Sequence, residues 1–291
     1  MLATAHALGF GIYRQRGLVQ IFDQDTLWTD VGYVLEGGEL AAGQLVTLAR
    51  TPDTSPEFLE NHSDPQDLIQ FYPFNGADEQ TAWLLQSIQA EIQDQELRPE
   101  DIVVINPNPL TTQKEVGPIR QQLFDKGINS ELAGVSTSAD IFTKVGSVTF
   151  TGIFRAKGNE AGMVYIMNAQ DCASGWDKPA TVLVRNRLFT AITRSKAWVR
   201  ILGIGPNMDL LIQEWNTLRE NDYKLRFRYP TDEEKKQLRI INKELQGRGQ
   251  TRRRAVKLQR EQLILAVARG DIDRDQLILE LENLKPATSK R

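Results

Sequence analysis

Four short apolar runs between residues 101 and 205 constrain this chain more than any other feature. They are DIVVINPN (Asp101–Asn108), VTF (Val148–Phe150), MVYIMNA (Met163–Ala169) and WVRILGIG (Trp198–Gly205). Each is rich in β-branched residues and lacks polar alternation. Such a strand must be covered on both faces, as in a parallel sheet between helical layers. The intervening segments read as helices. In Glu79–Leu97, Trp83, Leu84, Ile88 and Ile92 fall near one face, and Pro99 follows as a stop. EVGPIRQQLFDKGI (Glu115–Ile128) carries Gly127 as its C-terminal stop, and Asn186–Ser195 is a third helical stretch. Strands alternating with helices predict an α/β fold, a parallel sheet flanked by helices.

The flanks read differently. Leu2–Tyr13 has the pattern of a helix with no capping signal before it, as expected of a chain whose upstream part is missing. LVQIF (Leu18–Phe22) and QLVTLAR (Gln44–Arg50) are strand-like pieces joined by turn-rich sequence, and Thr51–Phe58 reads as loop. Beyond Pro230, Asp232–Leu245 and Arg252–Arg269 are expected to be charged amphipathic helices, and ARGDIDRDQLILELENL a further one. The expected organisation is a partial N-terminal or insert region over 1–78, the α/β domain over 79–230, and a helical C-terminal extension over 231–291.

Charge is uneven. Residues 231–291 hold 15 basic and 10 acidic residues, net +5, and residues 1–230 hold 20 and 28, net −8. A grip on nucleic acid spread over the whole chain is therefore not expected, and any phosphate contact should be local. The single cysteine, Cys172, excludes an intrachain disulfide, and the two histidines, His6 and His62, are too few and too distant for a zinc motif, so no metal site is expected. His6 is expected as a packed helix residue. No apolar run is long enough to cross a bilayer and no signal peptide is expected, which predicts a cytoplasmic protein with no membrane partner.

Two segments carry charged residues in small-residue turns beside apolar runs. In VTFTGIFRAKGNEAGMVYIM (Val148–Met167), the Ala156-Lys157-Gly158-x-Glu160 turn stands between two strands. In RNRLFTAITRSKAW (Arg185–Trp198), Phe189-Thr190-Ala191-Ile192-Thr193-Arg194 precedes Lys196. Together they resemble motifs V and VI of superfamily 1 DNA helicases of the UvrD/Rep-like and RecD-like groups, which belong to the second motor domain only. Gly152 and Phe154 depart from the threonine and histidine of many UvrD-like members.

The resemblance implies a RecA-like sheet of the P-loop-NTPase type. It also implies ATP shared with a first motor domain that would hold Mg2+. Glu160, with Gly158, would contact the nucleotide sugar. Arg194 would be an arginine finger, whose fixed charge and planar fork suit a γ-phosphate in the transition state. Thr149, Thr151, Arg155 and Thr193 would contact nucleic-acid phosphates. Arg187 fits a structural or secondary phosphate contact. Gln113 and Arg120 lie in the opening strand–helix unit with no specific role.

No Gly-x-x-x-x-Gly-Lys-[Ser/Thr] occurs, and Asp78-Glu79 follows no apolar strand. The chain is therefore expected to be inactive alone and to need a phosphate-loop domain, in cis or in trans. The expected partner is DNA, with RNA equally open to the residues. Two alternatives stand beside this. One is a non-catalytic nucleic-acid-binding or regulatory module derived from a helicase. The other is a scaffold acting through the C-terminal helices. The basic run Gly247–Arg260 reads as a solvated helix face. Trp28, Trp83, Trp176, Trp198 and Trp215 are expected in cores or interfaces rather than as base-stacking surfaces.

Overall fold

The computed structural model describes residues 1–51, 59, 63–138 and 140–241. The expected loop at 52–58, His62, the basic run and the C-terminal helices beyond residue 241 lie outside the described residues. In chain order the elements are α1 (Leu2–Phe10), β1 (Gln20–Phe22), α2 (Thr26–Asp30), β2 (Tyr33–Gly37), β3 (Leu45–Arg50), α3 (Pro65–Leu68), β4 (Ile69–Phe74) and α4 (Ala77–Gln93). There follow β5 (Ile102–Asn106), α5 (Thr112–Asp125), β6 (Ser130–Leu132), β7 (Val148–Gly152), α6 (Ile153–Ala156), β8 (Ala161–Ile166) and α7 (Lys178–Ile192). The last are β9 (Ser195–Ile204), α8 (Gly205–Glu220), β10 (Leu225–Arg228), α9 (Asp232–Lys235) and β11 (Arg239–Ile241).

Six strands form one parallel sheet in the order β4-β9-β8-β5-β7-β6, the predicted architecture. The apolar runs are continuous because both faces are covered. Ile102 and Val104 of β5 join Leu84 and Ile88 of α4 and Ile119 and Leu123 of α5 in one core. Val103 and Ile105 face the other way, toward Leu8 of α1, Leu188 and Ile192 of α7 and Met208 and Leu211 of α8. Burying each such side chain stabilises the fold by roughly 1.5–3 kcal/mol. The sheet begins upstream of residue 79, since β4 pairs with β9 over its whole length. Its β6 edge is closed from within: Arg120 donates to the Ser130 carbonyl at 2.9 Å, and the Leu132 N–H donates to Ser136 Oγ at 2.7 Å. Arg120 thus serves the scaffold.

A second sheet is antiparallel, in the order β10-β3-β2, and β1 pairs with β11 in parallel. Its core gathers Phe10, Ile21, Trp28, Tyr33, Val46 and Phe227. His6 is buried in it: its Nδ1 lies 3.0 Å from Tyr33 Oη, and the rings of Phe10, Phe22, Trp28 and Phe189 surround it. Burial lowers its pKa to about 3.

The helix α1 stands between the two cores. Every residue from Ala3 to Phe10 is buried, which accounts for a segment apolar almost all round. Gly11 ends it in the left-handed conformation, its N–H returning to the last turn.

One expectation is corrected. Asp232–Leu245 is not a single helix: a capping box between Thr231 and Glu234 starts α9, which stops at Lys235, and Arg239–Ile241 is a strand. Docking against β1 overrides the local helical pattern.

Candidate functional site

The turn after β7 is built by local bonds. Gly152 leads into the single turn α6, and Asn159 closes the loop by donating from its side chain to the Arg155 carbonyl at 3.1 Å. Gly158 sits at φ 91°, a conformation that side-chain-bearing residues rarely adopt, and an added Cβ there would meet open space. Glu160 follows, exposed, and β8 begins at Ala161.

The second segment arrives on α7. Asp177 caps its start by accepting from the Ala180 N–H at 2.7 Å, and Pro179 occupies the first turn. The helix ends at Ile192, and Arg194 folds back on that end. Its Nε donates to the Thr190 carbonyl at 3.1 Å and its Nη2 to Thr193 Oγ1 at 3.2 Å. β9 starts at the next residue.

These two segments meet. The Ala161 N–H donates to the Arg194 carbonyl at 3.1 Å, and Ala161 pairs with Ser195 in the β8–β9 register. Glu160 and Arg194 therefore stand side by side where the two strands enter the sheet, with Gly158 and Thr193 next to them in sequence.

The remaining residues singled out are not brought there. Thr149 and Thr151 lie within β7 and are fully buried. The Thr149 hydroxyl is 3.5 Å from the Phe142 carbonyl, and that of Thr151 is 3.2 Å from the Gly152 carbonyl. Enclosure between the helical layers withdraws both hydroxyls from any phosphate in this conformation. Arg155 turns toward the bend after β6, where Gly134 leaves room: a Cβ on Gly134 would come within 3.2 Å of the Arg155 Nε.

Three features were not foreseen. Arg185 and Glu214 form a fully buried ion pair through two 2.7 Å contacts, and Arg185 also donates to the carbonyls of Ala173 and Leu8. Arg187 lies over the exposed ring of Phe154, 6.0 Å from its centroid. Trp176, expected in a core or interface, is instead 91% exposed. Cys172 is buried and its thiol is pushed up to about 12, so it offers no thiolate. No group of His, Cys, Asp or Glu that could hold a metal is present among the described residues, and none of their helices is long and apolar enough to cross a membrane.

An α/β domain with paired charged turns at the entry of neighbouring strands is the class that this geometry defines. Residues 147–202 match the family described as UvrD-like helicase C-terminal domain, a stretch from the start of β7 into β9 that contains all seven residues singled out above. That stretch is thus similar to a UvrD-like helicase C-terminal domain. Among solved structures it is similar to one described as the C-terminal domain of a possible DNA helicase from Lactobacillus plantarum WCFS1. The identity is 16% and the TM-score 0.38, over 54% of this chain and 85% of that one. No curated protein matches the chain.

Proposed function

We propose that this chain is the second motor half of an ATP-dependent superfamily 1 DNA helicase or translocase. It would complete the ATP site of a phosphate-loop domain supplied in cis or in trans. ATP sits between the two halves, and the phosphate-loop domain holds Mg2+. From this side Glu160 meets the nucleotide sugar, Gly158 gives the loop its close approach, and Arg194 swings onto the γ-phosphate. The observation that carries this reading is the Ala161–Arg194 backbone bond, which joins two segments about thirty residues apart where two interior strands enter the sheet. For Arg194 to act as a finger its guanidinium must leave Thr190 and Thr193. These are charge-assisted bonds worth roughly 1.5–3 kcal/mol each, and contacts of the guanidinium with the γ-phosphate oxygens would replace them.

The docked guanidinium favours one second reading, a non-catalytic nucleic-acid-binding or regulatory module. Nucleic-acid-stimulated ATP turnover, measured for the chain alone and with a phosphate-loop first domain, separates the two. Turnover in the mixture only, lost on Arg194→Ala, supports the motor. Nucleic-acid binding with no turnover in either case leaves the module.

A further inference from the structure

A cavity of about 360 Å³ opens between the turn after α1, the start of α7 and the β10–α9 connection. Its rim carries Arg16, Lys178 and Arg228, and its walls include Ile12, Phe227 and Leu238. The three cations come from three separate elements. The one acid in the lining, Glu234, is committed to Arg228 and to the capping box with Thr231. Arg16 and Lys178 are exposed, and neither forms an ion pair among the described residues. Lys178 is also the first residue of α7, where the helix dipole is positive and a cation is unfavourable unless an anion visits. The nearby carboxylate of Asp177 is occupied in capping that helix. Two residues before Lys178 stands Trp176, its ring open to solvent.

We propose that this cavity is a phosphate subsite for single-stranded nucleic acid, with Trp176 as the stacking surface for an adjoining base. Cations that track a backbone beside an exposed aromatic ring are the usual chemistry of sequence-tolerant strand binding. The apolar wall suits a sugar or base edge better than it suits a free inorganic anion. The subsite rests on the nucleic-acid reading above but uses none of the residues assigned to ATP.

The test is fluorescence anisotropy of a labelled (dT)12 oligonucleotide with the full chain across a salt series, without ATP. The double variant Arg16→Glu/Lys178→Glu should bind roughly 10-fold more weakly, with a salt slope shallower by about 1.4 for two lost phosphate contacts. Lys178→Glu places an acid in the first turn of α7, so loss of folding is not the expected cause of a loss of binding. Trp176→Ala should weaken binding roughly 5- to 150-fold and leave the slope unchanged. Unchanged affinity and slope in the double variant, while wild type binds, overturns the subsite and leaves the nucleic-acid reading intact. No binding by wild type overturns both. Competition by polyglutamate or by a mononucleotide at concentrations matching the oligonucleotide overturns the strand assignment in favour of an acidic peptide or a free nucleotide.

Discussion

Arg185 and Glu214 face each other through two parallel 2.7 Å contacts, 29 residues apart in sequence and both sealed from water. The pair joins α7 to α8. Two further guanidinium hydrogens reach the Leu8 and Ala173 carbonyls, so α1 and the turn before α7 are held by the same side chain. Burial pushes the Glu214 carboxyl up, and the guanidinium beside it pulls the other way. Removing one partner leaves the other as an uncompensated buried charge. Glu214→Ala or Arg185→Ala should each cost roughly 3–5 kcal/mol in urea unfolding. The double variant Arg185→Met/Glu214→Leu should lose much less than the sum of the two. Full additivity would mean that the pair is not coupled.

His6 sets an acid limit. Its pKa is about 3 in the folded chain against 6.5 for an unperturbed histidine. The unfolded chain therefore takes up a proton that the native chain refuses. The stabilising contribution is present above pH 6.5 and is lost as pH falls from there toward 3. The slope is about 1.4 kcal/mol per pH unit, near 2 kcal/mol between pH 6.5 and 5. His6→Phe should flatten that window of the stability profile, measured by denaturant titration at successive pH values.

Tyr13 stands in for a missing strand. Its hydroxyl donates to the Lys224 carbonyl at 2.8 Å and accepts from the Arg226 N–H at 3.0 Å, closing the free edge of β10. Tyr13→Phe should lower stability by about 1 kcal/mol and speed hydrogen exchange at the Arg226 amide. An unchanged exchange rate at that amide would remove the edge-closing role.

Gly158 isolates a purely conformational cost. At φ 91° an alanine would be strained although nothing lies within 4 Å of its Cβ. Gly158→Ala should cost about 1–2 kcal/mol or shift the loop. If the chain is the motor half proposed above, a shifted loop would move Glu160 and should raise KM for ATP more than it lowers kcat. A kcat-only effect would argue against the sugar contact.

The central sheet was legible because burial on both faces writes itself as largely apolar runs, as in Ile102–Asn106 and, with Arg200 as its one charge, Trp198–Ile204. β4 was missed because Pro73 breaks the pattern, which an edge strand tolerates. β10 alternates Leu-Arg-Phe-Arg in its four residues, and β6 has three residues only. The strand Arg239–Ile241 was masked by neighbours with helical spacing and is fixed by a partner more than two hundred residues away. The family resemblance singled out Glu160 and Arg194, and only the fold shows that Ala161, the residue after Glu160, bonds the Arg194 carbonyl. The Arg185–Glu214 pair has no local signature, because a lone Arg and a lone Glu on separate helices look like solvated surface.

Gly9 lets α1 lie so close to α7 that an added methyl would stand 3.3 Å from Phe189, the residue before the Thr190 carbonyl that holds Arg194. On its opposite side the same helix is the wall of the smaller sheet. A tug on that sheet has no soft layer to dissipate in before it reaches the arginine. Close-packed interiors transmit strain, so load borne by the antiparallel strands would be felt as tension at Arg194.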